Sequence, residues 1–158
     1  MVANLDATAV EDVSGMFGKG LRRILDEEPR PDLVVLMAGT NDLGRKSHPA
    51  AILADVCRLH AECHTRGVPT LVLAPPPALR APKGGTWEAR RRQLVQLLAD
   101  WVRQSTGIAG FVEPGELVPC AGALWDADGL HLSPAGSRML GKRLALRVAP
   151  LLRAALAP

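Results

Sequence analysis

The chain has 158 residues, of which 47% are hydrophobic and 22% are charged, and its formal net charge is +3. This length suits one domain with a substantial core, and the composition excludes an intrinsically disordered chain. Basic residues recur on predicted helices without interleaved aromatic side chains, which argues against a nucleic-acid-binding surface. We therefore expect a single domain that spans residues 1–158.

The three cysteines, Cys57, Cys63 and Cys120, form no recognisable disulfide pattern. The first residues do not resemble a secretory signal, and no apolar stretch approaches the length of a membrane span. These features predict a soluble cytoplasmic protein with reduced thiols and no membrane partner.

Strand-like and helix-like segments alternate along the chain, which indicates an α/β fold with a mainly parallel sheet. Strands are predicted at residues 9–13, 33–38, 70–74 and 109–112. Helices are predicted at residues 17–27, 49–66, 86–105 and from Pro134 onward, with Thr86 and Ser133 as caps. The run at residues 33–38 is almost entirely apolar, as is typical of a central parallel strand that is covered on both faces.

Two polar motifs stand at the ends of predicted elements. Gly39-Thr40-Asn41-Asp42 follows a strand, and Asp128-Gly129-Leu130-His131 precedes the last helix. Singly, these residues fit a turn, a helix cap or a surface histidine. Together they supply a base, a carboxylate that can orient it and an amide that can bind an oxyanion. Ester hydrolysis by a hydroxyl nucleophile needs these groups.

These motifs resemble blocks of the SGNH, or GDSL-type, hydrolase family, and the resemblance covers nearly the whole chain. Val13-Ser14-Gly15 is similar to the second block, residues 32–42 to the third and residues 125–133 to the fifth. The resemblance implies that His131 is the general base, that Asp128 orients it, and that Gly15 and Asn41 form the oxyanion hole.

The resemblance also implies a flavodoxin-like three-layer α/β/α sandwich with a short parallel sheet. Members of the family hydrolyse acyl esters or acetylated carbohydrates without a metal or other cofactor. We therefore expect a small-molecule ester as the partner of this chain.

The Gly-Asp-Ser block of the family, which carries the nucleophilic serine, is absent from the sequence. Only fourteen residues precede Gly15, so the first strand and the following helix of the family are expected to be missing. Loss of that central strand would expose a sheet edge, through which the chain could form a homo-oligomer. Alternatively, the N-terminal segment moves into the vacant place, or the chain is a fragment of a longer protein.

Ser14 is the best candidate nucleophile, because it is predicted at a strand-to-helix turn beside Gly15. Ser47 and Ser133 are weaker candidates. Alignment of Leu5-Asp6-Ala7-Thr8 with the missing block would leave no hydroxyl at the serine position. The alternatives to a working hydrolase are an impaired pseudoenzyme, a module that binds a ligand or partner, or a slow enzyme in which His131 activates water directly.

Cys57, His60 and His64 are spaced so that they lie roughly on one face of a predicted helix. Zinc or copper would accept these ligand types. However, no second group of ligands is evident elsewhere, and small thiols suit core positions. We therefore predict no metal site and expect the two histidines to be partly exposed.

Overall fold

A computed structural model of the chain describes residues 20–45, 47–79 and 85–155. Its strands are β1 (Val34–Met37), β2 (Thr70–Leu73) and β3 (Ile108–Val112), which form a parallel sheet in the order β1-β2-β3. Its helices are α1 (Leu21–Glu27), α2 (Thr40–Gly44), α3 (Pro49–His64), α4 (Thr86–Gln104), α5 (Pro114–Leu117) and α6 (Pro134–Ala155), with a 3₁₀ turn at Gly122–Leu124. The predicted strand at residues 9–13 and the start of the first predicted helix lie outside the described residues.

The described elements form three layers, as predicted. On one face of the sheet, α3 and α4 bury one leucine-rich core with Val72 of the central strand. On the other face, α6 covers a second core that includes Leu71, Leu73 and Val112. Because apolar side chains recur every three or four residues on α3, α4 and α6, each helix has one apolar face, which is buried against the sheet. Among the described residues, no helix is long and apolar enough to span a membrane.

The two strands β1 and β2 differ in their burial. Every residue of β2 is buried, as expected for a strand with neighbours on both sides. In β1, Val35 and Met37 are 38% and 45% exposed. The prediction that this strand is covered on both faces is therefore wrong for these two side chains. The physical reason is that β1 lies at the edge of the described sheet, where α6 does not cover it.

The helix boundaries differ from the predictions in two places. Thr86 is the first residue of α4, and Gly85 occupies the capping position without a side-chain hydrogen bond, so the prediction of a Thr86 cap is wrong. No helix is predicted between residues 112 and 134, but this stretch contains α5, which begins at Pro114. Proline suits the first helical position because its missing N–H has no helical partner there. The Ser133 cap is confirmed, since its Oγ accepts the Gly136 N–H at 3.2 Å.

His60 is fully buried, so the prediction of a partly exposed histidine is wrong for this residue. Its Nδ1 lies 2.7 Å from Thr70 Oγ1, and the same hydroxyl lies 2.9 Å from His64 Nε2. Trp101 of α4 meets the His60 ring edge-on, at 5.1 Å between ring centroids. Both histidines thus bond to a strand hydroxyl. In the described part of the chain, no group of three or more His, Cys, Asp or Glu side chains is placed to hold a metal ion.

The burial of His60 predicts that the protein loses stability in mild acid. Burial, assisted by the neighbouring His64, lowers the pKa of His60 from 6.5 to about 4. Between pH 6.5 and about pH 4, His60 is therefore protonated in the unfolded chain but neutral in the folded chain. The free energy of unfolding should fall by up to about 3 kcal/mol as the pH drops from 6.5 to 4.

Urea unfolding at several pH values measures this loss. The His60→Gln variant should show a flatter dependence of stability on pH than the wild type. Equal slopes in wild type and His60→Gln would contradict the assignment.

Candidate active site

The turn from Asp128 to His131 is closed by a single carboxylate. Asp128 Oδ1 accepts the backbone N–H groups of Leu130 and His131 at 2.8 and 3.0 Å. Asp128 Oδ2 lies 2.6 Å from His131 Nδ1. Gly129 supplies the left-handed backbone that the turn requires, with φ at 67°. Both backbone direction and imidazole orientation are therefore fixed by one side chain.

The same bonds decide which imidazole nitrogen carries the proton. Hydrogen bonds from the His131 and Leu130 backbone and from the His131 side chain hold the pKa of Asp128 well below its usual range. An ionised carboxylate only accepts hydrogen bonds, so His131 Nδ1 must carry the proton and its N–H must donate the hydrogen bond to Oδ2. In the neutral ring, Nε2 then has a free lone pair, as a general base requires.

The turn is anchored to the rest of the protein at several points. Trp125 and Leu132 form an isolated antiparallel bridge, and the Asp126 N–H donates to the His131 carbonyl at 2.9 Å. The Leu79 N–H donates to the Gly129 carbonyl at 2.7 Å, which ties the turn to the segment that follows β2. His131 therefore projects from a braced loop although its side chain is 51% exposed.

Asn41 lies in the first turn of α2, directly beyond the carboxyl end of β1. The chain reaches it through Gly39, whose φ of 101° favours glycine. A Cβ on Gly39 would lie 3.0 Å from Ile52 and 3.3 Å from Leu94, so the backbone also passes close to the core there. This tight passage directs Asn41 towards the same end of the sheet as His131.

His131 and Asn41 line one pocket of about 380 Å³ between the carboxyl end of β1 and α6. Most of its wall is apolar, and its polar side chains come from a few residues. The apolar part includes Met37, Ala38, Pro76, Leu130, Leu132, Leu140 and Leu144. The structure thus brings the predicted base and the predicted amide donor to one cavity.

Thr40 and Ser137 also line this pocket, although no role is predicted for either from the sequence. The position of Thr40 next to Asn41 in the sequence is a signal that could have placed it here. Ser137 follows the capping Ser133 by one helical turn, so its place on the wall depends on how α6 packs. Ser14, Gly15 and the Leu5-Asp6-Ala7-Thr8 segment lie outside the described residues.

The proline-rich loop after β2 and the loop that carries Cys120 and Trp125 contribute unequally to the pocket. Pro76 from the proline-rich loop lies on the pocket wall. Trp125 is instead buried and donates its indole N–H to the Pro119 carbonyl at 3.2 Å. Cys120 is exposed as a free thiol and does not line the pocket.

The sequence model of the GDSL-like lipase/acylhydrolase family matches residues 4–139 of the chain. No curated protein sequence matches the chain.

Several solved structures share the fold. A carbohydrate esterase family 3 protein from Talaromyces cellulolyticus superimposes with a TM-score of 0.68 at 15% identity, over 85% of this chain and 64% of that protein. A family 3 carbohydrate esterase from Clostridium thermocellum gives a TM-score of 0.67 at 22% identity, over 98% of this chain and 69% of that protein. A GDSL-like lipase from Bacteroides thetaiotaomicron gives a TM-score of 0.65 at 16% identity, over 82% of this chain and 69% of that protein. The chain therefore spans about two thirds of the length of these proteins, and just under that share of the first.

Gly136 provides a test of the junction between the histidine loop and α6. A Cβ at this position would collide with the Leu124 carbonyl oxygen, which accepts the Ser133 N–H at 3.0 Å. Gly136→Ala should therefore lower the free energy of unfolding by about 1–3 kcal/mol.

The matched control is Gly141→Ala in the same helix, where an added Cβ meets nothing within 4 Å. It should raise stability by about 0.5–1 kcal/mol, because alanine loses less backbone entropy than glycine in a helix. Chemical denaturation compares the two variants, and a Gly136→Ala protein as stable as the wild type would refute the close contact.

Proposed function

Because the chain belongs to the GDSL-like lipase/acylhydrolase family, we propose that it hydrolyses esters, with His131 as the general base and Asp128 as the residue that orients it. The contact of 2.6 Å between Asp128 Oδ2 and His131 Nδ1 carries this proposal. It holds the tautomer in which Nε2 can accept a proton, and His131 lines a pocket large enough for a small substrate.

In the proposed mechanism, His131 Nε2 removes the proton from a serine hydroxyl as that oxygen attacks the ester carbonyl. The Asn41 side-chain amide and the Gly15 backbone N–H donate hydrogen bonds to the oxyanion that forms. The imidazolium then gives its proton to the departing alcohol, and Asp128 stabilises the imidazolium charge. Water, activated by the same imidazole, releases the acid from the serine. The nucleophile in this scheme is Ser14.

The apolar wall supports an acyl ester as the substrate. Leu130 and Leu132 flank His131 in sequence, and Leu140 and Leu144 face the same cavity from α6. Burial of the hydrocarbon part of an acyl ester against this surface would stabilise the bound substrate. Acetylated carbohydrates are the second substrate class, which the carbohydrate esterases of the same fold support. The proposal requires no metal or other cofactor.

A second candidate function is binding of an ester or carboxylate without turnover. One observation favours it: in the described ranges, the hydroxyl side chains on the pocket wall are Thr40 and Ser137, and neither is a residue that the family motif identifies as the nucleophile. An intact cavity with a base and an amide donor would then hold a ligand that it cannot cleave.

Short-chain aryl esters and acetylated sugars separate these functions. The wild type should hydrolyse at least one of them, and His131→Ala should lower kcat/KM by about 10²–10⁴-fold. Asp128→Asn should also lower it, because the amide no longer enforces a proton on Nδ1. Ser14→Ala should abolish the activity.

Ser105→Ala is the control for a serine substitution, because Ser105 bonds the Trp101 carbonyl at the end of α4. It should keep wild-type kinetics, and circular dichroism should show that all variants fold. Ser137→Ala tests the alternative hydroxyl. Activity retained in Ser14→Ala would remove Ser14 from the scheme, and no hydrolysis by the wild type, with ligand binding intact, would favour the binding module.

A further inference from the structure

The pocket beside His131 extends along the first turns of α6. This helix begins directly after the histidine turn, where Ser133 caps it. Further along the helix, Ser137, Leu140 and Leu144 line the pocket from one face. At a rise of about 1.5 Å per residue, the stretch from Ser137 to Leu144 is about 10 Å long. An acetyl group bound next to His131 would therefore cover only a part of this wall.

Gly141 lies in the middle of the α6 wall and also lines the pocket. It follows Ser137 by four residues and precedes Leu144 by three, so these positions share one face of the helix. Among the described residues, a Cβ at Gly141 would meet nothing within 4 Å. The absence of a side chain here therefore leaves room in the pocket.

Packing does not explain a glycine at position 141. Gly136 of the same helix is needed because a Cβ there would collide with the Leu124 carbonyl oxygen. Gly141 has no such neighbour in the described ranges, and it lies in the interior of α6. Glycine in a helix interior lowers stability by about 0.5–1 kcal/mol relative to alanine. This loss of stability has a functional explanation if the substrate fills the space beside Gly141.

We propose that Gly141 is a specificity-determining residue, which leaves room for an acyl chain longer than acetyl to lie along α6. The inference rests on the proposed function, because it requires the reacting carbonyl to lie beside His131. From there the chain extends past Gly141, and Leu140 and Leu144 bury its hydrocarbon. The preferred substrate class is then an ester of a medium-length fatty acid rather than an acetylated carbohydrate.

Gly141→Leu tests this subsite by filling it. Because p-nitrophenyl acetate and p-nitrophenyl octanoate share a leaving group, the ratio of their kcat/KM values reports on the acyl chain alone. The wild type should prefer the octanoate. Gly141→Leu should lower the octanoate-to-acetate ratio at least about 10-fold, since the leucine side chain takes the place of several methylenes. An unchanged ratio in this variant, or a wild type that prefers the acetate, would overturn the proposal.

Gly141→Ala separates specificity from stability and decides the question if Gly141→Leu does not fold. It should lower the octanoate-to-acetate ratio by a smaller factor while the protein becomes more stable to denaturant. A purely structural role of Gly141 would instead lower stability and leave the ratio unchanged, and this result would overturn the proposal.

Ala145→Leu is the matched control. It adds the same side chain one helical turn further along α6, at an exposed position that does not line the pocket. It should keep the wild-type octanoate-to-acetate ratio. An equal fall of the ratio in Ala145→Leu and Gly141→Leu would overturn the assignment of the effect to Gly141.

Binding of octanoate separates failure of the subsite from failure of the proposed function. Octanoate should shift the NMR signals of the Leu140 and Leu144 methyl groups in the wild type, and Gly141→Leu should bind it at least about 10-fold more weakly. These results in a protein that hydrolyses no ester would uphold the subsite and reject catalysis. Ester hydrolysis with no methyl shifts, and with the same chain-length preference in Gly141→Leu, would uphold catalysis and reject the subsite.

Discussion

The Asp128 carboxylate accepts three hydrogen bonds within the turn that ends at His131, and the chemistry of the site depends on them. Two of these bonds shape the backbone, and the third fixes the imidazole. Without the carboxylate, the solvent-exposed His131 side chain would have many accessible rotamers and no fixed orientation. Because one ionised group does both tasks, the loss of its charge would alter the backbone and the base together.

The parallel sheet determines where this turn can act. The carboxyl ends of the three described strands lie at the same end of the sheet. Gly39 after β1, the proline-rich segment after β2 and the loop before α6 therefore meet there. Ligands commonly bind at this position in open α/β sheets. The same architecture leaves β1 as an edge strand in the described sheet, with apolar side chains that a fully covered strand would bury. The pocket beside His131 and the open edge of β1 are therefore adjacent parts of one region.

Much of the fold follows from local sequence patterns. The apolar run at residues 33–38 identified β1, and the helical spacing of Ile52, Val56 and Leu59 accounts for the buried face of α3. The exposure of Val35 and Met37 was not predictable from that run, because it depends on which strand lies next to β1. His60 was misjudged for a similar reason: its burial depends on Thr70 and Trp101, which are distant in sequence.

In the candidate site, too, local contacts were predicted from the sequence, whereas packing between distant residues was not. The spacing of Asp128 and His131 within one turn predicted their contact, since the geometry is local. That Asn41 shares a pocket with His131 was predicted from the sheet and from family resemblance together. The presence of Ser137 on the wall was not predicted, because it requires the packing of α6 against the end of β1. The candidate nucleophile Ser14 lies outside the described residues, so its role stays a prediction.

A serine-directed phosphonate followed by peptide mass spectrometry shows whether His131 activates a serine in this chain. The wild type should form one adduct per chain, located on Ser14, and the His131→Ala variant should form none. No adduct on any serine, or the same adduct in the variant that lacks the imidazole, would contradict this activation.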